Sequence, residues 1–394
     1  MKHYLLILLI ALSFPSLKAW SIDSLQISLL TVEPRPNEVY TIYGHTALRI
    51  YDPTKGKDSV FNYGTFDTSV PNFLFNFVLG KTDYYLSVST YEQFLYVYSL
   101  ENVTVIEQVL DISPSGKQEI LQMLAINLLP ENLIYRYDFL FDNCTTRIRD
   151  IIENYNGGTL IYPEQSEKVT FRDLIHSCTY PYPWMTFGID LLIGNGADSL
   201  ICLRQELFLP MRLKEVLDES YVLTTENEQH PIIISSKNVL VSNPEPIAKL
   251  RFWERPIKIG FLLFLIYILI ALDGYAKKRK QKVAFGLLFF IAGIAGLLVG
   301  FITLFSYHPC TSPNWNLLWL HPFHLIAFVG YFFKKSYRFI TCYHLVNLLL
   351  LSGLLIGWYW IPQVLNVATI PFILCLGLAS GYWLYITKKQ KQKI

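Results

Sequence analysis

The stretch FLFDNCTTRIRDIIENYNGG, residues 139–158, places a cysteine where an aromatic, strand-like run turns into a helix. Asp142 or Asn143 can act as the N-cap, because a short side-chain oxygen can accept from the unpaired N–H groups of the first turn. The apolar side chains that follow share one helix face at the 3.6-residue period and are Ile148, Ile151, Ile152 and Tyr155. Asn156-Gly157-Gly158 supplies the stop. The pattern predicts a helix with Cys144 on its buried face, in the first turn.

A thiol at a helix start has two interpretations. The positive end of the helix dipole favours a thiolate, and the pKa of cysteine falls from roughly 8.5 to about 3.5–7.5 at such positions. Cys144 would then be a nucleophile. Free cysteine also packs as a small apolar residue, so a structural role is the alternative, and this stretch alone leaves both open.

Apolar residues are unevenly distributed along the 394-residue chain. They make up 52% of it, the mean hydropathy is +0.32, and the excess gathers at the N-terminus and after Pro256. The net charge of +2 gives no sign of a nucleic-acid partner. Lysine and arginine instead cluster in short runs beside apolar stretches, which indicates membrane topology.

Three regions follow from this distribution. Residues 1–19 are typical of a secretory signal peptide, although Leu17 fits the cleavage site poorly and leaves an uncleaved anchor as the alternative. Residues 20–255 are polar enough for an exported catalytic domain and long enough for one core. Residues 256–394 are predicted to be an all-α transmembrane domain.

Five apolar stretches after Pro256 approach the ~20 residues that a helix needs to cross a bilayer. They are Ile257–Leu272, Val283–Phe305, Leu317–Phe333, Phe339–Tyr359 and Val364–Ile386. Lysine-rich runs follow the first, third and fifth of them, at residues 277–282, 334–338 and 388–393. With the preceding domain exported, all three runs are cytoplasmic, as the positive-inside rule requires. The sequence predicts five spans and an exported domain before them.

A nucleophilic thiol needs a base, and histidine is the usual one. His230 lies in a polar turn and His176 in a predicted helix, whereas His45 follows a glycine at the start of a predicted strand, Thr46–Tyr51. A turn at Pro53–Asp58 leads into a second predicted strand. Of the three histidines, His45 is the best candidate for the base. One difficulty is that a regular strand puts it on the same face as the charge of Arg49.

The six cysteines show no CxxC or Cys/His metal spacing, so no metal and no other cofactor is expected. Cys178 and Cys202 can pair in an oxidising compartment, whereas a nucleophilic Cys144 must stay free.

The order of a histidine strand, further strands and a cysteine at a helix start resembles the circularly permuted papain-like fold of NlpC-like amidases and lecithin:retinol acyltransferase-type enzymes. The resemblance implies an α+β domain, here followed by an all-α five-helix transmembrane domain. In those families an asparagine often precedes the cysteine, as Asn143 precedes Cys144 here. A third polar residue comes from the strand after the histidine strand. Asn62 is the expected third residue, with Tyr63 and Asp67 as alternatives.

The resemblance extends over nearly the whole mature chain. YGHTALRIYD, NYGTFD, DNCTTRIRD, PWMTFGIDLLIG, FLP and, in the membrane half, HPCTSPNWNLLWLHP are similar to the Lnb-type lipoprotein N-acyltransferases. The pair GHTALR and NCTTR at this spacing is the most specific part. The resemblance implies a periplasmic catalytic domain followed by a multi-span domain in the inner (cytoplasmic) membrane.

The resemblance implies acyl transfer through a thioester. Cys144 would be the nucleophile and His45 the general base, with Asn143 and Tyr63 in positioning roles. The acyl donor would be a membrane phospholipid, and the acceptor would be the N-terminal α-amine of a lipidated lipoprotein. The backbone N–H of Cys144, at a helix start, is a natural oxyanion donor.

Polar side chains also mark the membrane half. His308, Asn314 and Asn316 lie in an outer loop near the membrane surface, where they are expected to bind substrate, to dock the domain or to be merely interfacial. His344 and Asn347 are predicted helix–helix hydrogen-bond partners, and Gly296 and Gly300 a close-packing pair. The aromatic run at residues 70–86 is either a lipid-facing lip or core.

Two rival functions use the same residues. A cysteine hydrolase of cell-wall peptide or amide bonds would keep Cys144 and His45 but pass the acyl group to water or a soluble amine. A non-catalytic envelope sensor would only bind. A lipid-dependent thioester on Cys144 separates the acyltransferase from both.

Overall fold

The computed structural model describes residues 22–35, 40–243, 250–333 and 337–391. A sheet-rich domain of mixed helix and strand comes first, and a helical domain with long apolar helices follows. The expected class, α+β followed by an all-α domain, is confirmed. The predicted signal peptide, residues 1–19, lies outside the described residues.

The strands of the first domain are β1 (Gln26–Val32), β2 (His45–Asp52), β3 (Lys57–Thr65), β4 (Asp83–Thr90), β5 (Val105–Leu110), β6 (Ile134–Arg136), β7 (Thr159–Ile161), β8 (Tyr221–Leu223), β9 (Gln229–Pro231) and β10 (Ile233–Leu240). Seven of them form one sheet in the order β10-β5-β1-β2-β3-β4-β6, and β7-β8-β9 form a small second sheet. Neighbouring strands of the large sheet are antiparallel.

The predicted hairpin of β2 and β3 is confirmed, and its pairing stops before the strands end. The two strands pair from Asp52 opposite Lys57 to Leu48 opposite Phe61. Beyond that point β3 shifts its register against β4, between Asn62 and Thr65. The ladder is therefore open where β2 begins.

The helices of the first domain are α1 (Phe73–Leu79), α2 (Tyr91–Leu100), α3 (Pro114–Asn127), α4 (Pro130–Leu133), α5 (Cys144–Tyr155), α6 (Phe171–Thr179), α7 (Pro183–Leu192), α8 (Leu203–Glu206) and α9 (Pro210–Asp218). The predicted face of α5 is buried: Ile148, Ile151 and Ile152 pack in one core cluster with Leu48 and Ile50 of the sheet. Each such side chain stabilises the fold by about 1.5–3 kcal/mol. This packing fixes the start of α5 against the opening between β2 and β3.

The second domain contains α10 (Pro256–Lys277), α11 (Lys282–Phe305), α12 (His324–Gly330), α13 (Tyr337–Ile356) and α14 (Ile370–Lys391). Among the described residues four helices are long and apolar enough to cross a membrane, and α12 is not one of them.

The expectation of five long helices is corrected at the third apolar stretch, Leu317–Phe333. There the chain forms a 3₁₀ turn, Trp315–Leu318, and then only the seven-residue α12. Pro322 has no N–H and disfavours helical backbone at His321 before it, so hydropathy alone overstated the helix. The number of membrane crossings stays a prediction.

This irregular segment lies along α11 against a row of glycines. A Cβ on Gly296 would be 2.6 Å from the backbone oxygen of Leu320, and one on Gly293 would be 2.9 Å from the backbone nitrogen of Leu325. Non-helical backbone at membrane depth needs such protein cover. The predicted close packing holds for Gly296, whereas Gly300 would meet only a side-chain carbon of Leu317 at 3.8 Å.

His344 and Asn347 join α13 to α14, as predicted. His344 Nδ1 lies 3.1 Å from Ser380 Oγ, and the amide of Asn347 donates to the same oxygen at 2.9 Å. His344, Asn347 and Ser380 therefore form one hydrogen-bonded group between the two helices.

Candidate active site

The start of α5 is held by Asn143, the second of the two predicted N-caps. Its side-chain oxygen accepts from the N–H groups of Thr145 and Thr146, both at 2.8 Å. Its own N–H donates to the hydroxyl oxygen of Thr146 at 2.7 Å, which completes a capping box. Among the described residues no acceptor takes the N–H of Cys144. That donor is free for an oxyanion.

The Cβ of Cys144 approaches the sheet at a glycine. Gly64 has a φ of +86°, and a Cβ there would lie 3.4 Å from the Cβ of Cys144. Gly44, directly before β2, has a φ of +80°, and a Cβ there would lie 2.6 Å from a backbone oxygen of β1. Both glycines are therefore required by the backbone, and they border the opening between β2 and β3.

His45 is the first residue of β2 and lies at this opening. Its Nε2 is 3.4 Å from the side-chain oxygen of Asn62 on β3. The difficulty of its shared face with Arg49 is resolved, because that guanidinium pairs with Asp58 and Glu107, each at 2.6 Å. The charge is satisfied four residues along the strand from the histidine.

The imidazole and the thiol shift each other's pKa. Burial lowers the pKa of His45, but the charge and contact of Cys144, together with Asn62, raise it above the ordinary 6.5. Burial raises the pKa of Cys144, but His45 opposes this, and the net pKa lies below the ordinary 9.0. The backbone N–H of Thr46 and the hydroxyl of Thr145 add to the lowering of that pKa. Each group therefore shifts the pKa of the other in the direction of its charged form.

Of the three residues considered for the third position, Asn62 is the one beside His45. The geometry does not support the expected positioning role of Tyr63. Its side chain is 1% exposed in the core, and its hydroxyl accepts from Asn127 at 2.8 Å. Consecutive strand residues face opposite sides, which explains the separation. Asp67 is an exposed residue after the end of β3, and its carboxylate accepts from the backbone of Ser69.

Two tyrosines near the thiol were not predicted from the sequence. Tyr84 of β4 stacks on Tyr137, with ring centroids 4.1 Å apart. Burial and then the neighbouring Cys144 raise the pKa of Tyr84 to about 12 and that of Tyr137 well above 10. Both stay protonated beside the sulfur. Their positions depend on strand pairing, which carries no local sequence signal.

The outer-loop residues contact the first domain rather than the surroundings of Cys144. Amides of the second domain donate to backbone oxygens at the end of α7: Asn316 to Asp190 at 2.8 Å, Asn314 to Leu191 at 2.9 Å, and Gln363 to Ile193 at 2.9 Å. The last carbonyls of a helix have no partner within the helix. The membrane half therefore caps α7. Asn314 and Asn316 dock the two domains together, which was one of the expected alternatives. Their predicted substrate binding has no support in this geometry.

His308 makes a different contact, to α1. Its Nε2 lies 2.6 Å from the backbone oxygen of Phe77. Helix α1 has no buried residue and exposes Leu74, Phe75 and Phe77. The α1 part of the aromatic run is therefore a surface lip joined to the outer end of α11, whereas Tyr84 and Leu86 at the end of the run are buried in β4.

A buried charge cluster surrounds Asp190 on α7. Arg172 bonds to Asp190 and Asp198, each at 2.6 Å. His176 bonds to Asp190 at 2.8 Å, and so does the amide of Asn366 from the second domain. His176 is thus a packed, hydrogen-bonded histidine.

The remaining predicted groups take no part in the site. His230 lies in β9 rather than in a turn and pairs with Asp111 at 2.9 Å. Cys178 and Cys202 are both free. Within the described ranges no group of three metal-binding side chains is found.

Two family models match the chain. The Lnb N-terminal periplasmic domain matches residues 15–177, and the Lnb transmembrane domain matches residues 248–391. Comparison with curated proteins and with solved structures gives no match. The two regions follow one another as the sheet-rich domain and the helical domain do, and the protein is a membrane protein with a periplasmic domain. Together they cover most of the sequence, and the chain belongs to the Lnb family.

Proposed function

We propose that this protein transfers an acyl chain from a membrane phospholipid, through a thioester on Cys144, to the N-terminal α-amine of a diacylglyceryl-cysteine lipoprotein. Membership of the Lnb family points to a lipoprotein N-acyltransferase-like function. The observation that carries the finer proposal is the thiol beside His45 at a helix start whose first N–H is free. That constellation suits acyl transfer through a covalent intermediate.

In the first half-reaction the Cys144 thiol gives its proton to His45, and the thiolate attacks the ester carbonyl of the phospholipid. The new C–S bond leaves a negative oxygen, which the free N–H of Cys144 stabilises. The C–O bond then breaks, and the imidazolium returns its proton to the leaving oxygen. A lysophospholipid departs, and the acyl chain remains as a thioester.

In the second half-reaction the lipoprotein α-amine attacks the thioester carbonyl. His45 takes a proton from the amine as the C–N bond forms. The C–S bond breaks, and the thiolate is restored beside the imidazolium. Asn62 accepts from the imidazole ring, fixing its orientation through both steps. The product is an N-acylated lipoprotein.

The docking of the two domains supports a substrate held in a bilayer. The membrane half caps α7 and contacts the exposed lip α1 through His308. A site joined this closely to membrane helices meets lipid esters without extracting their chains into water, where each CH₂ costs about 0.8 kcal/mol.

The direct test is mass spectrometry of the full-length protein incubated with phosphatidylethanolamine in detergent micelles. We expect one acyl group on the peptide containing Cys144 and one lysophospholipid released. Cys144→Ser and His45→Ala should abolish the adduct, whereas Cys202→Ser, a matched change of an exposed free thiol, should retain it. Addition of a diacylglyceryl-cysteine peptide should remove the adduct and yield the N-acyl peptide.

Other outcomes identify the rivals. An adduct that is released only as free fatty acid, even with the lipopeptide present, would make the protein a hydrolase. Normal lipoprotein N-acylation by folded Cys144→Ser would leave the domain a binding module and overturn the proposal.

A further inference from the structure

A cavity of about 620 Å³ lies beside His45 and Asn62 on the side of the sheet that carries α2. This is the size of a small-molecule site. The thiol is not among its lining residues; the histidine is. The cavity therefore adjoins the reacting groups without being the place of bond formation.

Among the described residues that line the cavity there is one permanent cation, Arg35, and no carboxylate. Arg35 lines it with 14% of its side chain exposed, backed by an ion pair to Glu101, which is not a lining residue. The guanidinium lies 5.3 Å from the ring centroid of Tyr98, and its Nε has no acceptor among the described residues. Guanidinium groups carry five N–H donors suited to phosphate oxygens. The positive charge of Arg35 also lowers the pKa of His45, so the two groups lie within electrostatic reach.

Neutral donors also line the cavity. Hydroxyls come from Thr65, Ser87 and Ser89, those of Thr65 and Ser87 being hydrogen-bonded to each other at 2.7 Å, and an amide comes from Gln93. The oxygen of that amide accepts from the backbone N–H of Thr90 at 3.1 Å. The NH₂ group of the same amide has no acceptor within the described ranges. Hydroxyl and amide donors without a competing carboxylate suit an anion.

The aromatic ring of Phe66 connects the cavity to α1, the helix that contacts the membrane half. Phe66 lines it and stacks on Phe73 of α1, with ring centroids 5.7 Å apart. Helix α1 is fixed to the outer end of the membrane half: Tyr307 donates to the oxygen of Leu79 at 2.8 Å. A lipid lying against the exposed lip α1 can therefore place its headgroup in the cavity while its ester lies near His45.

We propose that this cavity binds the phosphate-bearing headgroup of the acyl-donor lipid, with Arg35 as its cationic contact and Ser87, Ser89 and Gln93 as neutral donors. The proposal rests on the proposed function and names the part of the donor that the enzyme recognises. It makes the phosphate, rather than the acyl chain, the feature that separates donors from neutral glycerides.

The test compares two donors in the full-length protein, held in the same detergent micelles. Acyl adduct formation on Cys144 is timed with phosphatidylglycerol and with diacylglycerol of identical chains. A charge-assisted hydrogen bond predicts a rate about 10- to 100-fold higher with the phospholipid. Arg35→Gln should collapse that ratio toward one, and Arg35→Lys should keep part of it. Lys237→Gln, which removes an exposed positive charge on β10, is the matched control and should keep the full ratio.

Soluble competitors identify the source of the phosphate. Glycerol 3-phosphate should slow the phospholipid reaction of the wild-type protein, and glycerol should not. Equal rates with phosphatidylglycerol and diacylglycerol in the wild-type protein would overturn the proposal, whatever the variants do. Equal rates with competition by inorganic phosphate would make the cavity a site for free phosphate and overturn it too. Absence of any adduct with either lipid would instead refute the proposed function.

Discussion

Replacing Asn143 by alanine removes four hydrogen bonds from one side chain that is 3% exposed. Its oxygen accepts from two N–H groups of the first turn of α5, and its amide donates to the backbone oxygens of Phe139 at 2.7 Å and Phe208 at 2.9 Å. The change frays the turn that carries Cys144 and leaves two carbonyls without their donor.

The magnitude follows from these contacts. Loss of an N-cap costs about 1 kcal/mol, and each buried carbonyl left unpaired costs about 1 kcal/mol at the low end. The sum of about 3 kcal/mol corresponds to about a hundredfold increase in local opening of the turn. Asn143→Ser keeps a capping oxygen and loses only the amide donors, so about 2 kcal/mol, or about thirtyfold, is expected.

Amide hydrogen exchange of the full-length protein in detergent measures this opening directly. The peptide containing Thr145 and Thr146 should exchange fastest in Asn143→Ala, more slowly in Asn143→Ser and slowest in the wild type. Asn132→Ala, which removes an exposed asparagine bonded to the oxygen of Ile126, is the control and should match the wild type. Exchange of the Asn143→Ala peptide within about threefold of wild type would refute the capping argument, because ~3 kcal/mol predicts far more.

Three further outcomes are expected. Because His45 holds the pKa of Cys144 below its ordinary value, His45→Gln should shift the midpoint of the thiol's alkylation rate to higher pH; an unchanged pH profile would show that the pair does not interact. Asp190→Asn should lower thermal stability by about 3 kcal/mol, since it strips a buried guanidinium of one of its two carboxylates, and a wild-type melting temperature would contradict this. A reporter active only in the cytoplasm should work when fused at Lys280 and stay silent at Thr311; activity at Thr311 would reverse the topology.

The parts of the site that could be predicted carry their signal within a few residues. The helix from Cys144 shows its cap, its apolar period and its stop in one stretch, and the bounds Cys144–Tyr155 agree with the prediction. The hairpin that carries His45 is likewise marked by its turn. Local patterns suffice for such elements because the same residues form and end them.

Other features depend on which strands become neighbours. The choice among Asn62, Tyr63 and Asp67 required the register of β3 at the open end of the ladder, which no local pattern contains. Tyr137 and Arg35 reach the site through long-range packing and were missed for the same reason. A useful signal for Arg35 would have been its place just after β1, at the end of the sheet where β2 starts.

The third apolar stretch shows a different limit. Its hydropathy resembles that of the other spans, but Pro322 and the glycine row of α11 make extended, irregular backbone possible there. Hydropathy counts apolar side chains and does not register where the backbone finds its cover.

The amides that cap the carbonyl end of α7 fix the height of the periplasmic domain relative to the membrane helices. Because Asn314, Asn316 and Gln363 join it to the membrane half, we expect the thiol to keep a constant distance from the bilayer midplane and not to follow an ester that lies deeper or shallower. Bilayers of different thickness would displace the ester by ångströms, and ~1 Å of misplacement can cost on the order of a hundredfold in rate. On the proposed function, acyl transfer in vesicles of graded chain length should therefore pass through a sharp optimum, so that the thickness of the host membrane becomes a determinant of the transfer rate.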